Sequence, residues 1–232
     1  MPTAISLTES QIFTALTTVL SGMIPGITII RGQDNRVPEP VCPDFIEMWP
    51  LMRTRLSMNV DTPDDCTFVG SIAGNALTVS ELTFGAVQLG AQVFGVSVAP
   101  NTIVTGLSPY TVTPSQTVAS ANLAAGTRQI EQSTRMTVQL DVHGPSSGDN
   151  AQIITTLFRD GYGVEAFEQS GYPIAPLYTN EPRQLAFDNG EDQFEDRWSI
   201  DLDLQIKPVI GVPQQFADQL TATVDQVQAL SA

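Results

Sequence analysis

The sequence predicts an α+β fold in which helices flank a largely antiparallel sheet, with a small all-β domain inserted between two strands of that sheet. Three observations lead to this prediction. Hydrophobic residues recur at helical spacing in some segments and alternate with polar residues in others. The chain has a formal net charge of -15, yet a central stretch carries almost no charge, and glycines divide that stretch into short β-branched runs. We therefore assign residues 1–65 and 121–232 to a discontinuous α+β core and residues 66–120 to the inserted domain.

The first element is a helix that begins after residue 8. Residues 8–11 read TESQ, a capping box in which a hydroxyl and a glutamine three residues later satisfy the first backbone amides. Residues 27–30 and 45–58 are predicted to be strands, separated by a proline-rich loop at 37–43. The apolar face of this first helix consists of Ile12, Phe13, Leu16, Val19, Leu20 and Met23. Gly22 and Pro25 end the helical pattern.

Residues 66–120 contain Glu81 as their single charged side chain. Runs such as LTVS (77–80) and VSV (96–98) alternate apolar and small polar residues, which is typical of short strands. The segments AGN (73–75) and APN (99–101) have turn chemistry. A flexible linker is the alternative, but linkers lack so many apolar residues in alternating order. We expect five or six short antiparallel strands.

After the inserted domain, the chain returns to alternating strands and helices. Residues 135–142 and 198–206 alternate apolar and polar residues and predict strands with one wet face, and the second of these carries acidic residues near the middle of that face. A helix is predicted between them, with possible N-caps at 144–149 and an end near Gly161. Its apolar stripe is Ile153, Ile154, Leu157 and Phe158, and a last helix would bury Phe216, Leu220, Val224 and Val227.

The composition excludes several classes of protein. A single lysine, Lys207, and nine scattered arginines form no cluster that could grip a phosphate backbone. No apolar run approaches the length of a membrane span, and no leader pattern opens the chain, so we expect a protein made in a reducing cytoplasm. A disulfide between Cys42 and Cys66 remains an open alternative.

The densest group of carboxylates lies near the last predicted strand. A metal-dependent hydrolase could use such carboxylates to hold Mg²⁺, but Lys207 lies about 13 Å along the strand from Asp203, too far to share a nuclease site. We expect no catalytic residues, no metal and no cofactor, and keep the hydrolase as an alternative. His143, the single histidine, is predicted to lie in a surface turn, and Trp49 and Trp198 to anchor a core or an interface. The acidic candidates are Glu191, Asp192, Glu195, Asp196, Asp201 and Asp203.

Residues 68–120 contain GSIAGNALTVS near their start and YTVTPSQTVAS at their end. With these two motifs, residues 68–120 resemble a small β module that recurs in tail and baseplate proteins of tailed bacteriophages. The segments IRGQDNRVP (30–38) and RWSIDL (197–202) of the surrounding chain resemble the phage neck or tail terminator family. Together the similarities touch most of the chain.

This resemblance implies a structural protein of the virion rather than an enzyme. It implies a homohexameric ring between the head-tail connector and the tail tube, which ends tail growth and lets genomic DNA pass without specific binding. Asp201, Asp203 and the acidic residues at 191–196 would then line the channel. The inserted domain would point outward or meet a sheath or collar protein. A baseplate or other tail structural protein is the alternative, because the β module occurs there too.

Overall fold

The structure is a computed structural model, and it describes residues 5–32, 40, 42–185, 187–188 and 194–214. The chain forms two compact units. The core unit comprises Ile5–Val60 and Glu131–Ile210, and the β unit comprises Asp61–Ile130 together with residues 211–214. None of the described helices combines the length and the apolar character that crossing a bilayer requires.

The described part of the chain contains three helices and thirteen strands. In chain order they are α1 Glu9–Met23, β1 Thr28–Arg31, β2 Phe45–Arg55, β3 Val60–Phe84, β4 Gln92–Gly95, β5 Ile103–Leu107, β6 Tyr110–Glu131, β7 Thr134–His143, α2 Ser147–Phe158, α3 Gly161–Gln169, β8 Ile174–Thr179, β9 Arg183–Gln184, β10 Phe187–Asp188, β11 Phe194–Glu195, β12 Arg197–Ile206 and β13 Val209–Pro213.

The core unit is built on a sheet with strand order β1-β2-β7-β12-β8, in which β9 also pairs with β12. β1 runs parallel to β2, and the other pairs are antiparallel. The two strands with the most regular alternation in the sequence, β7 and β12, lie at the centre and pair along ten residues, from His143 opposite Arg197 to Thr134 opposite Ile206. The predicted α+β class with a largely antiparallel sheet is therefore confirmed.

The three helices pack on one face of this sheet. Helix α1 begins at the predicted capping box, where Gln11 N donates to Thr8 Oγ1 (3.3 Å) and Thr8 N donates to Gln11 Oε1 (2.8 Å). All six predicted apolar positions of α1 are buried. They pack against inward side chains of β7 and β12, namely Met136, Val138, Leu140, Val142, Ile200, Leu202, Leu204 and Ile206.

The helical region between β7 and β8 differs from the prediction in two respects. The buried stripe of α2 includes Ala151, Ile154 and Phe158, whereas Ile153 is 40% exposed, because the helix is rotated relative to the predicted phase. A third helix, α3, follows directly: Asp160 caps its first turn by accepting from Tyr162 N (3.2 Å). Gly161, predicted to lie at the end of α2, is thus the first residue of a new helix, and α2 ends at Phe158. The predicted C-terminal helix lies outside the described residues.

The β unit forms a five-stranded sheet from β13, β6, β4 and β5, with β3 paired to β6. Its strands are longer than predicted, since β3 and β6 have 25 and 22 residues. β3 turns back on itself at Gly74, whose φ is +63°, and beyond the turn Ser80 Oγ donates to the carbonyl of Val69 (2.9 Å). The predicted AGN turn is therefore present. The unit has its own apolar core, which includes Phe68, Ile72, Val93, Val104, Val112 and Leu123.

The bounds of the β unit differ from the compositional bounds at residues 66 and 120. Both positions lie inside continuous strands, β3 and β6, so the change in composition does not coincide with a change in structure. Residues 211–214 also join this unit, where Gln214 N donates to the carbonyl of Gly126 (3.1 Å). Both cysteines are free thiols. Burial raises the pKa of the Cys66 thiol, and the neighbouring carboxylates Asp64 and Asp65 raise it further.

Candidate functional site

The face of the core sheet opposite the helices carries most of the chemistry-bearing side chains of the core unit. Because side chains alternate along a strand, the residues between the buried ones on β2, β7 and β12 share this second face. We call it the open face. It is formed by Glu47, Trp49, Arg135, Thr137, Gln139, Asp141, His143, Arg197, Ser199, Asp201, Asp203 and Gln205.

Asp203, a predicted channel residue, lies directly opposite Thr137 in the register of β7 and β12. Thr137 Oγ1 donates to Asp203 Oδ1 at 2.6 Å, and Arg135 Nη1 lies 3.8 Å from Asp203 Oδ2. The hydroxyl bond fixes the carboxylate, and the looser ion pair offsets its charge. The carboxylate of Asp203 is therefore fixed in position, and its negative charge is partly neutralised.

Asp201 is held by a single residue, Asn180, just beyond β8. Asn180 Nδ2 donates to Asp201 Oδ2 at 2.9 Å, and Asp201 N donates to Asn180 Oδ1 at 2.7 Å. The backbone N–H of Asn180 also donates to the carbonyl of Asp201 at 3.1 Å. The first of these bonds orients the carboxylate, and the other two fix the backbone of Asp201 to Asn180. Among the described residues, no ion pair is found for Asp201.

Asp141 is the most deeply buried acid of the open face, with 2% of its surface exposed. Its two oxygens accept from Arg197 Nη2 at 2.7 Å and from Gln139 Nε2 at 2.9 Å. His143 is also buried, and its ring stacks on Phe45 with centroids 4.4 Å apart and planes 5° from parallel. The prediction of a surface turn for His143 is wrong, because Phe45 lies opposite it in the sheet register and covers the imidazole.

These residues border a groove of about 440 Å³ on the open face. It is lined by Glu47, Trp49, Pro50, Leu51, Gln139, Asp141, His143 and Arg197. Asp141, at the bottom of the groove, is bound to a guanidinium and an amide, an arrangement that stabilises the sheet rather than one that leaves this carboxylate available as a general base. Within the described residues, no three His, Cys, Asp or Glu side chains are grouped so that they could hold a metal ion.

The structure brings only some of the predicted acidic residues together. Asp201 and Asp203 share the open face, and Asp196 is exposed immediately before β12, with its carbonyl accepting from Gly144 N at 2.9 Å. Residues 191 and 192 (Glu191 and Asp192) and the side chain of Glu195 lie outside the described part of the chain.

The charge of the open face is partly balanced: its four acids, Glu47, Asp141, Asp201 and Asp203, are opposed by two arginines, which leaves a formal charge of -2. Arg135 faces Asp203, and Arg197 binds Asp141. Both arginines are visible in the sequence, but their partners are set by strand register, which a single sequence does not reveal.

More than half of the chain matches a known protein family. Residues 98–228 match a family model described as phage neck terminator protein. The match covers 131 of 232 residues, from β5 in the β unit to the C-terminal region, and so includes β7, β12 and the helices between them. Among curated proteins, none is similar enough to count as a match.

Proposed function

Because the chain belongs to the phage neck terminator family, we propose that it forms a ring that joins the head of a phage to its tail. Proteins of this family are structural components of the virion neck. The family match is the observation that carries the proposal. The ring would contain six copies, meet the head-tail connector on one side and the tail tube on the other, and end tail growth. The subunits would be made in the host cytoplasm and function in the virion.

We further propose that the open face is turned toward the channel through which genomic DNA passes. Asp201 and Asp203 would then face the bore, with Asp196 and its acidic neighbours Glu191, Asp192 and Glu195 beside them. The contacts of the arginines support this orientation: Arg135 and Arg197 are engaged by Asp203 and Asp141 rather than offered to phosphates. Proteins bind the DNA backbone when their free cations replace the counterions of the phosphates. A channel wall whose arginines are already paired with acids binds phosphates weakly, so DNA can slide past it.

The charge of the whole chain supports the same role. Six copies would carry a formal charge of -90, six times the -15 of one chain. Such an assembly repels a polyanion at long range, and the repulsion weakens as salt screens it. The net charge of the ring as a whole thus disfavours adhesion of DNA.

The β unit would serve as the contact for a sheath or collar protein. It exposes large apolar side chains, among them Phe84 at 65% and Val96 at 80%. Val96 lies at a turn in which Val98 N donates to the carbonyl of Gly95 (3.2 Å). The segment beyond this turn is also held, since Gln116 Oε1 accepts from Ala99 N at 2.7 Å. Apolar groups on a fixed loop are suited to burial against another protein.

The ring is tested by its size and its position. We expect light scattering of concentrated protein, or of protein mixed with its connector, to give the mass of six chains, and electron microscopy to show a ring. Antibody or gold labelling of intact particles should mark the head-proximal end of the tail. Labelling confined to the distal end would instead indicate a baseplate protein, and absence of the chain from particles would contradict a virion role.

The orientation of the open face is tested by reversing a charge at its edge. In Asp196→Arg particles we expect DNA release to be severalfold slower at low salt, because each copy presents an unpaired guanidinium to the passing phosphates. The measurement is the rate of DNA release from purified particles. Glu81→Arg, an exposed site in the β unit, is the matched control and should release DNA at the wild-type rate. Equal rates for both variants and wild type would place the open face away from the channel.

A further inference from the structure

One end of helix α1 carries a cationic cluster in an otherwise acidic chain. Arg31 Nη2 lies 3.3 Å from Glu9 Oε1, and Arg53 Nη2 lies 3.2 Å from Glu9 Oε2. Two guanidinium groups therefore share one carboxylate, which leaves a formal charge of +1. We call these three residues the arginine patch. Both arginine side chains are at least a third exposed, so the excess charge is accessible to another molecule.

The side chains of the arginine patch are held in place by contacts within the same chain. The guanidinium carbon of Arg31 lies 4.3 Å from the ring centroid of Phe13, a buried residue of α1. This stacking and the shared carboxylate restrict both arginine side chains, so less conformational entropy is lost when they bind. The patch lies at the N-terminal end of α1, where the helix dipole adds positive potential.

A complementary surface lies on helix α3 of the same unit. Glu165 and Glu168 are exposed and three residues apart, so they share one face of the helix. Neither forms an ion pair with another described residue. Asp160 caps the start of the helix, and Lys207 lines the same groove as Glu168. With that lysine included, this acidic helix surface has a formal charge of -2.

The two surfaces lie toward opposite edges of the core sheet. Arg31 and Arg53 belong to β1 and β2, whereas Glu168 lines a groove with Ile174 and Ala175 of β8. Neighbouring strands are about 4.8 Å apart, so β2 and β8, which lie three places apart in the strand order, are separated by about 14 Å. Complementary surfaces at separate places on one unit cannot pair within a copy, but they can pair head to tail between copies, and such a contact closes into a ring when the rotation fits.

We propose that the arginine patch of one copy binds the acidic helix α3 of the next copy and so fixes the order of subunits around the ring. This inference rests on the ring proposed above and adds the contact that builds it. Arg31 and Arg53 would approach Glu165 and Glu168 of the neighbouring copy. Such contacts mainly set orientation and association rate, and they weaken with added salt.

The contact is tested by charge reversal and complementation. The first variant is Arg31→Glu with Arg53→Glu, and the second is Glu165→Arg with Glu168→Arg. Each alone places like charges across the contact, so we expect its association constant to fall by about tenfold or more. A mixture of the two should assemble, because copies that alternate around an even-numbered ring pair opposite charges at every contact. The quadruple variant should also assemble by itself.

Assembly is measured by light scattering and electron microscopy over a range of salt concentrations. Because three acids would meet at Glu9 in the first variant, Arg31→Gln with Arg53→Gln serves as a milder form, and thermal unfolding confirms that each variant is folded. If wild-type chains form rings and both reversed variants form them equally well, this contact is wrong while the ring stands. If wild-type chains form no closed assembly even in particles, the ring is wrong and the contact falls with it.

Discussion

Replacing Arg197 with methionine is expected to lower the free energy of unfolding of the core unit by about 3 kcal/mol. The change leaves Asp141 nearly buried without the guanidinium that binds it at 2.7 Å. An acid whose partner is removed in this way retains its desolvation cost and loses the compensating attraction. We place the effect at the low end of the range for broken buried pairs, because 21% of the Arg197 side chain is exposed and water can partly replace it.

The measurement is urea denaturation followed by tryptophan fluorescence. Both tryptophans, Trp49 and Trp198, belong to the core unit, so the signal reports this unit even if the β unit unfolds separately. Arg135→Met is the matched control on the same sheet face. Its pair with Asp203 is longer, 3.8 Å, and its side chain is 40% exposed, so its loss should cost about 1 kcal/mol or less. Equal costs for the two variants would contradict a special role for the Asp141 pair.

Replacing Phe158 with alanine is expected to cost about 3–5 kcal/mol in the same unit. Phe158 ends α2, is 1% exposed, and meets Phe167 of α3 edge to face, with ring centroids 5.9 Å apart. The substitution removes this aromatic contact and leaves a cavity where α2 and α3 pack against the sheet. The midpoint of urea unfolding should fall accordingly, with little change in the denaturant slope.

Ile153→Ala provides the comparison for this prediction. Ile153 lies on the same helix but on its exposed side, so its truncation should cost about 1 kcal/mol or less. Phe158 is buried in both the predicted and the observed phase of α2, so Ile153 is the residue that tests the phase. A loss of about 2–5 kcal/mol for Ile153→Ala, as expected for a buried isoleucine, would mean that the face predicted from the sequence, rather than the face in the structure, is buried.

The elements that could be predicted from the sequence are those whose signals are local and complete. Helix α1 has a capping box and a complete apolar stripe, and both signals lie within one short segment of the sequence. Strand β12 alternates without interruption, and its inward residues from Ile200 onward are fully buried. In such segments the hydrophobic period alone determines which face meets the core.

The features that could not be predicted depend on pairings between distant segments. His143 is buried because Phe45, almost a hundred residues earlier, lies opposite it. Asp203 is offset by Arg135 and Asp141 by Arg197 for the same reason. Strand register determines all three contacts, and composition carries no record of register. Helix α3 was missed because its nine residues include two glycines, which normally mark the end of a helix.

The position of β12 has a consequence for synthesis of the protein. This strand lies between β7 and β8 in the sheet, yet it is translated after both of them. A nascent chain that stops before residue 197 therefore has β7 and β8 but lacks the strand that pairs with both of them. Its helices then lack the inward side chains of β12, which form part of the sheet face on which they pack. Prematurely terminated polypeptides cannot complete this layer, so we expect them to be unstable and open to proteolysis.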